Sequence, residues 1–234
     1  MKVEIWSDVI CPWCGIGQAR LDAAMAAFGH AGEVEVVHRS FQLDPSFPPG
    51  KVVPVKEMLR TKYGMGTDQL QATMARVEAT AATDGLVPYR VGENNVGNTQ
   101  LVHVLLAFAA EKGLEDAAWK RVYRAYFGEG RSLFDTESLV ALGADLGLVE
   151  GDVRAALASP ALHAKVANDG KEARALGCTG VPFVVIDRKF GVSGAQPVAT
   201  FRAALERAWS ERPAPLVVEG SDDVTCGPDG CDAT

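Results

Sequence analysis

Positive charge is scarce in this sequence. Its 234 residues carry 23 Lys and Arg against 30 Asp and Glu, a net charge of −7. General nucleic-acid binders meet phosphate with basic patches, so that class of partner is excluded. Long apolar runs are missing too. No stretch approaches the roughly 18 apolar residues of a membrane span, and no membrane partner is expected. A secretory leader needs a basic start and an apolar run of about 7–15 residues. Here Asp8, Cys11 and Cys14 interrupt any such run, so a cytoplasmic location is expected. Repeats and low-complexity blocks are absent. Cysteines number five. In a reducing compartment that few thiols points to catalysis or metal binding rather than a disulfide framework.

What is present is 47% hydrophobic residues, enough for a sizeable core. The length fits one domain with an insertion, or two modest domains. "KVEIW" at 2–6 reads as a strand. From Gly15, the residues Ile16, Leu21, Met25 and Phe28 fall on roughly one helical face. "EVEVVHRSF" alternates as a second strand, giving a βαβ unit with parallel strands. After a proline-rich loop, the chain from about 55 to 177 reads as mostly helical, with Leu101, Leu105 and Phe108 as a core stripe. In its last helix Ser159 caps, Pro160 takes the first position and Gly177 stops it, with Gly170 a weak point. "VPFVVID" and "KFGVSG" are short strands separated by Arg188-Lys189, a poor hairpin pair. A last helix starts at Pro197 with Val198, Phe201, Leu205 and Trp209 on one face.

The chemistry concentrates at "CPWC". Cys11 stands where the first strand gives way to the helix. Unpaired N–H groups and the macrodipole at a helix start favour a thiolate there, and the thiolate is the nucleophile. Pro12 fits the first turn, and Trp13 offers an exposed apolar surface beside the nucleophile. Cys14, one turn in, faces the body of the fold and resolves mixed disulfides formed at Cys11. Two other readings stay open for the pair. One is a structural disulfide. The other is half of a zinc site completed by Cys226 and Cys231, although their spacing is loose for a knuckle.

A second signal is "TGVPFVVID". Pro182 stands before a strand, where a cis proline beside the CxxC would let Val181 offer its backbone to an extended peptide; an ordinary strand-initiating proline is the alternative. "DVICPWCGIG" together with "GCTGVPFVVIDRKFGVSGAQP" resembles the DsbA-type thioredoxin-fold family, in its cytoplasmic FrnE-like branch, over about residues 1–210. The resemblance implies an α/β thioredoxin fold with a large all-helical insertion domain and a C-terminal tail. The implied parts are a discontinuous thioredoxin-like domain at 1–50 and 178–210, an insertion at 51–177 whose helix 160–177 bridges back, and a tail at 211–234. It implies thiol–disulfide oxidoreductase or isomerase activity on protein disulfides. Cys11 matches the nucleophile, Cys14 the resolving cysteine and Pro182 the cis proline. Trp13, where DsbA has His, departs from the pattern and bears on the redox poise. A related branch, with kappa-class transferases and 2-hydroxychromene-2-carboxylate isomerases, uses glutathione on small molecules; it has serine in place of the dithiol. No resident cofactor or metal is expected, and glutathione is the natural candidate for a thiol reductant.

The tail carries a candidate second redox pair. Cys226 and Cys231 flank "GPDG", a turn sequence that lets the chain fold back. Extended chain from Pro213 to Cys226 reaches roughly 43–47 Å, against a radius of gyration of about 17 Å for a compact domain of this size. Cys178, near Pro182, reads as a small buried hydrophobe. His30, His38, His103 and His163 are scattered without a neighbouring acid and read as surface or core. Asn98 reads as a helix cap, and Tyr123, Tyr126 and Phe127 as packing residues.

Overall fold

The computed structural model describes residues 1–212; the tail pair Cys226 and Cys231 lies outside them. β1 (Lys2–Ser7) is an inner strand of a four-stranded sheet. Strand alternation sorts its side chains: Val3 and Ile5 enter one apolar cluster and Trp6 another. α1 (Pro12–Ala26) then crosses over one face and returns the chain as β2 (Glu35–Ser40), parallel to β1 with Lys2 opposite Glu35. The helix begins three residues before the expected Gly15, because Pro12 fits the first helical position.

A long insertion follows. It contains β3 (Val52–Pro54), α2 (Val55–Tyr63), α3 (Thr67–Thr83), β4 (Asn95–Gly97), α4 (Gln100–Glu111), α5 (Glu115–Tyr123), α6 (Thr136–Asp145) and α7 (Glu150–Leu157). α8 (Pro160–Ala175) leads back to the sheet. Its punctuation is that of the sequence: the Ser159 hydroxyl accepts from Leu162 N–H at 3.4 Å, and Gly177 takes a positive φ of 83° beyond its end. Gly170 is buried within the helix and does not interrupt it. β5 (Phe183–Ile186) runs antiparallel to β1, β6 (Phe190–Ser193) antiparallel to β5, and α9 (Val198–Ser210) closes the described chain.

The sheet order is β2-β1-β5-β6. One face buries Leu21 of α1 with Phe201 and Leu205 of α9 against Val3, Ile5, Val184 and Ile186. On the other, Ala173 of α8 packs with Trp6, Phe41 and Val185, and the Trp6 indole donates to the Asp169 carbonyl at 2.9 Å. This is a thioredoxin fold carrying a helical insertion. Glu4 is 1% exposed within the sheet. Burial alone would raise its carboxyl, but bonds from Arg39 and Arg188 prevail and hold it below the usual range.

Three details depart from the expected pattern. β3 and β4 form a separate two-stranded ribbon inside the insertion. Within the stretch that reads as helical, α5 changes at Arg124 into a π-helical turn, Arg124–Gly128. The β5–β6 connection spans Asp187, Arg188 and Lys189, with Asp187 and Arg188 in the left-handed region. Asp tolerates that region, and its carboxylate accepts from Lys2 N–H at 2.6 Å. Arg188 is held there by Glu4 and Glu172, each at 2.7 Å.

His38 joins sheet and insertion. It projects from β2, is buried, and stacks on Trp119 of α5 at 5.5 Å. Burial holds its imidazole near a pKa of about 4, against the ordinary 6.5. Below about pH 6.5 the unfolded chain binds a proton that the folded chain refuses until about pH 4. Stability therefore falls with pH through that window, by up to about 3 kcal/mol. The variant His38→Phe keeps the stacking and removes the titration. Thermal melts from pH 7 to pH 4 should show a visibly shallower decline for it than for the wild type.

Candidate active site

The site is the first turn of α1. Cys11 is its N-cap, in extended conformation (φ −83°, ψ 112°), and Pro12 starts the helix. The Cys11 N–H donates to the Asp8 carbonyl at 3.2 Å, which fixes the turn between β1 and α1. The unpaired N–H groups and the helix dipole therefore point at Cys11. Its sulfur lies 3.5 Å from the Val181 carbonyl and is placed to donate to it. The Val181–Pro182 bond is cis, and the Pro182 carbonyl accepts from Gly194 N–H at 2.8 Å. α1 approaches this loop so closely that a Cβ on Gly17 would sit 2.7 Å from Pro182 Cγ. Gly17 is thus the residue that lets the helix meet the loop.

Cys11 is 7% exposed, and Cys14 is fully buried behind it. Pro12, Trp13 and Val181 are half-buried around Cys11. The sequence predicts an exposed apolar surface at Trp13; the side chain instead packs partly against the core of the insertion, which reduces the face it presents. Burial, then the neighbouring Cys11, pushes the Cys14 thiol well above the usual range. A backbone hydrogen bond from Asp8 works the other way, while the Asp8 charge adds to the rise.

The insertion supplies the roof. Tyr89 follows a second cis bond, Val87–Pro88, and its hydroxyl donates to the Pro12 carbonyl at 2.6 Å. It also lies 2.5 Å from where a Cβ on Gly15 would be. Tyr123 and Tyr126 are buried nearby, stacked and edge-on around Phe127. A cavity of about 690 Å³ runs along α1 between Gly15, Asp22, Pro88, Tyr89 and Tyr123.

Sequence reasoning missed Asp8, Tyr89 and His103. The sequence shows His103 as an isolated core or surface residue; the fold instead sets its Nε2 3.2 Å from Asp8 Oδ1, with both side chains fully buried. "DVICPWC" held a signal for Asp8, an acid in an apolar stretch. Nothing local marked His103, which is 95 residues away. Cys178 is buried with Trp6 and Val185, and its thiol donates to the Gly180 carbonyl at 3.2 Å. Asn98 accepts from Gln100 N–H at 2.9 Å, one residue ahead of the Thr99 cap position. Among the described residues no three His, Cys, Asp or Glu side chains cluster as a metal site. Among them, too, no helix is long and apolar enough to cross a membrane.

Comparison with known proteins places this geometry in a family. The model of the DSBA-like thioredoxin domain matches residues 2–206. A "probable DsbA oxidoreductase" from Streptomyces coelicolor is 48% identical, with a TM-score of 0.90 over 100% of this chain and 99% of that one. The cytosolic disulfide reductase DsbM from Pseudomonas aeruginosa, solved with GSH, is similar in fold: 24% identity, TM-score 0.59, over 90% of this chain and 100% of that one. A 2-hydroxychromene-2-carboxylate isomerase is likewise similar in fold, at 16% identity and a TM-score of 0.66 over 90% of this chain and 97% of that one. With a family model spanning nearly all of the described residues and a close structural counterpart along the whole chain, this protein belongs to the DsbA-like thioredoxin family.

Proposed function

We propose that the protein is a thiol–disulfide oxidoreductase acting on protein disulfides, as reductase or isomerase, in the cytoplasmic FrnE-like branch of its family. One observation carries the reading: Cys11 caps α1 beside the Val181–Pro182 peptide while Cys14 is buried directly behind it. In the proposed cycle the Cys11 thiolate attacks a substrate disulfide. One substrate S–S bond breaks, a Cys11–substrate bond forms, and a substrate thiolate leaves. In reduction Cys14 then attacks Cys11, and the substrate departs as a dithiol. In isomerisation another substrate thiol attacks, and the Cys11–Cys14 dithiol is regained. Val181 offers backbone to an extended peptide, and Pro12 and Trp13 supply the apolar rim beside it. A thiol reductant such as glutathione restores the dithiol, as suits a cytoplasmic enzyme. Cys226 and Cys231 serve as a second pair that exchanges with the first.

The cavity along α1 favours a second reading. It opens beside Gly15, one turn beyond Cys11, and has room for a small molecule. A glutathione-dependent small-molecule isomerase or transferase would use Cys11 alone. Cys14→Ser separates the two. The main reading expects this variant to lose protein-disulfide reduction and to accumulate a mixed disulfide at Cys11 with a scrambled protein substrate, seen by mass spectrometry. Retained turnover of a small substrate with glutathione, without any mixed disulfide, would support the second.

Two further outcomes are expected. Gly17→Ala forces a Cβ against Pro182; the overpacking should cost about 1–3 kcal/mol in denaturant melts and slow insulin reduction. Replacing Cys226 and Cys231 together by serine should slow dithiol-coupled insulin reduction several-fold. Unchanged kinetics would remove the tail from the cycle.

A further inference from the structure

Asp8 is tied to both cysteines. Its carbonyl accepts the Cys11 N–H at 3.2 Å, and a backbone hydrogen bond from Asp8 lowers the Cys14 thiol against the effect of burial. Its carboxylate is fully buried, with Oδ2 accepting from Leu43 N–H at 2.8 Å and Oδ1 facing His103 Nε2 at 3.2 Å. A carboxylate only accepts, so Nε2 carries the proton and donates. His103 comes from α4, so this contact reaches from the insertion to the turn that leads into the cysteines. The other ring nitrogen, Nδ1, is buried and has no hydrogen-bond partner among the described residues.

We infer that His103 is a positioning residue for the resolving step, acting through Asp8 to make Cys14 available as a nucleophile. The inference rests on the redox reading of Cys11 and Cys14 given above. In that step the Cys14 sulfur forms a bond to the Cys11 sulfur, and the bond from Cys11 to the substrate sulfur breaks. The substrate sulfur leaves with the electron pair, and the Cys14 proton ends on the departing thiolate. Two electrons have then passed from the dithiol to the substrate. Ionising Cys14 beside an uncompensated buried carboxylate would set two negative charges against each other where water cannot screen them. His103 counters this in two ways. Its N–H stabilises the Asp8 charge locally, and it holds the carboxylate so that the backbone hydrogen bond from Asp8 to Cys14 is kept. The other titratable groups facing this cluster are Cys11 at the N-cap of α1, Tyr89 before β4, Tyr123 on α5 and Tyr126 on the π-helical turn. The three tyrosines are pushed above the ordinary phenol range by burial and stay neutral through the physiological range.

The test uses the full chain, with oxidised glutathione as probe. The reduced protein is mixed with it, quenched in acid at intervals, and weighed by mass spectrometry from pH 6 to pH 9. The rise of the Cys11–glutathione adduct reports the first attack, and its conversion to the Cys11–Cys14 disulfide reports resolution. His103→Leu should slow resolution about tenfold at neutral pH and move its pH profile upward by about one unit, the equivalent of one unit in thiol pKa, leaving the first attack nearly as fast. Asp8→Asn combined with His103→Leu removes the charge that His103 compensates, keeps an acceptor for Leu43 N–H, and should restore most of the rate. A purely structural role would slow both steps, shift no pH profile, and give no recovery in the double variant. Should His103→Leu fold poorly, His103→Gln keeps a donor to Asp8 and is expected to be slowed less. Resolution at the wild-type rate and pH profile in all of these variants would overturn the inference. If the wild type itself never converts its adduct into a Cys11–Cys14 disulfide, the redox reading fails instead.

Discussion

The first turn of α1 is enclosed from two sides, and the rest of the site depends on that enclosure. From the sheet side, Gly17 admits the Val181–Pro182 peptide against the helix. From the insertion side, Tyr89 bonds the Pro12 carbonyl and His103 meets Asp8. Cys11 and Cys14 lie in the same continuous apolar cluster as Leu105, Trp119 and Tyr123 of the insertion. The cysteine pair is thus part of the insertion's core as much as of the sheet's. One cysteine keeps a narrow opening and the other has none, which is the asymmetry the proposed division of labour needs.

Burial of this kind has to be matched by polar contacts. The two buried acids of the N-terminal segment solve the problem differently. Glu4 is held by two arginines at the sheet face and stays ionised. Asp8 takes a backbone N–H and an imidazole. Each contact also joins segments far apart in sequence: β1 to β2 and the β5–β6 turn in the first case, the start of α1 to α4 in the second. A buried acid left without its partner would destabilise the fold strongly. These bonds therefore serve register and site geometry together.

Much of this was legible in the sequence, because it is written in local patterns. The strand of residues 2–6, the CxxC at its end, the Ser159, Pro160 and Gly177 punctuation of α8, and the apolar face of α9 all have short-range causes. The illegible parts have long-range or marginal causes. β3 and β4 span three residues each, the first in a proline-rich stretch and the second in an Asn/Gly-rich one, and neither is a strand without the other. The π-helical turn at Arg124 leaves the side-chain pattern of α5 almost unchanged. Tyr89 and His103 act on α1 from 77 and 95 residues away, so no spacing rule could find them. The β5–β6 turn departs from an Arg188-Lys189 hairpin pair because its left-handed residues are Asp187 and Arg188; ion pairs from distant Glu4 and Glu172 hold the arginine there.

The central claim is that Cys11 and Cys14 form a working redox pair. Equilibrating the protein across a series of glutathione redox buffers and counting the Cys11–Cys14 disulfide by mass spectrometry measures this directly. The account predicts a single reversible two-electron transition with a potential between about −270 and −120 mV. Failure of Cys11 and Cys14 to join in the most oxidising buffer would contradict it.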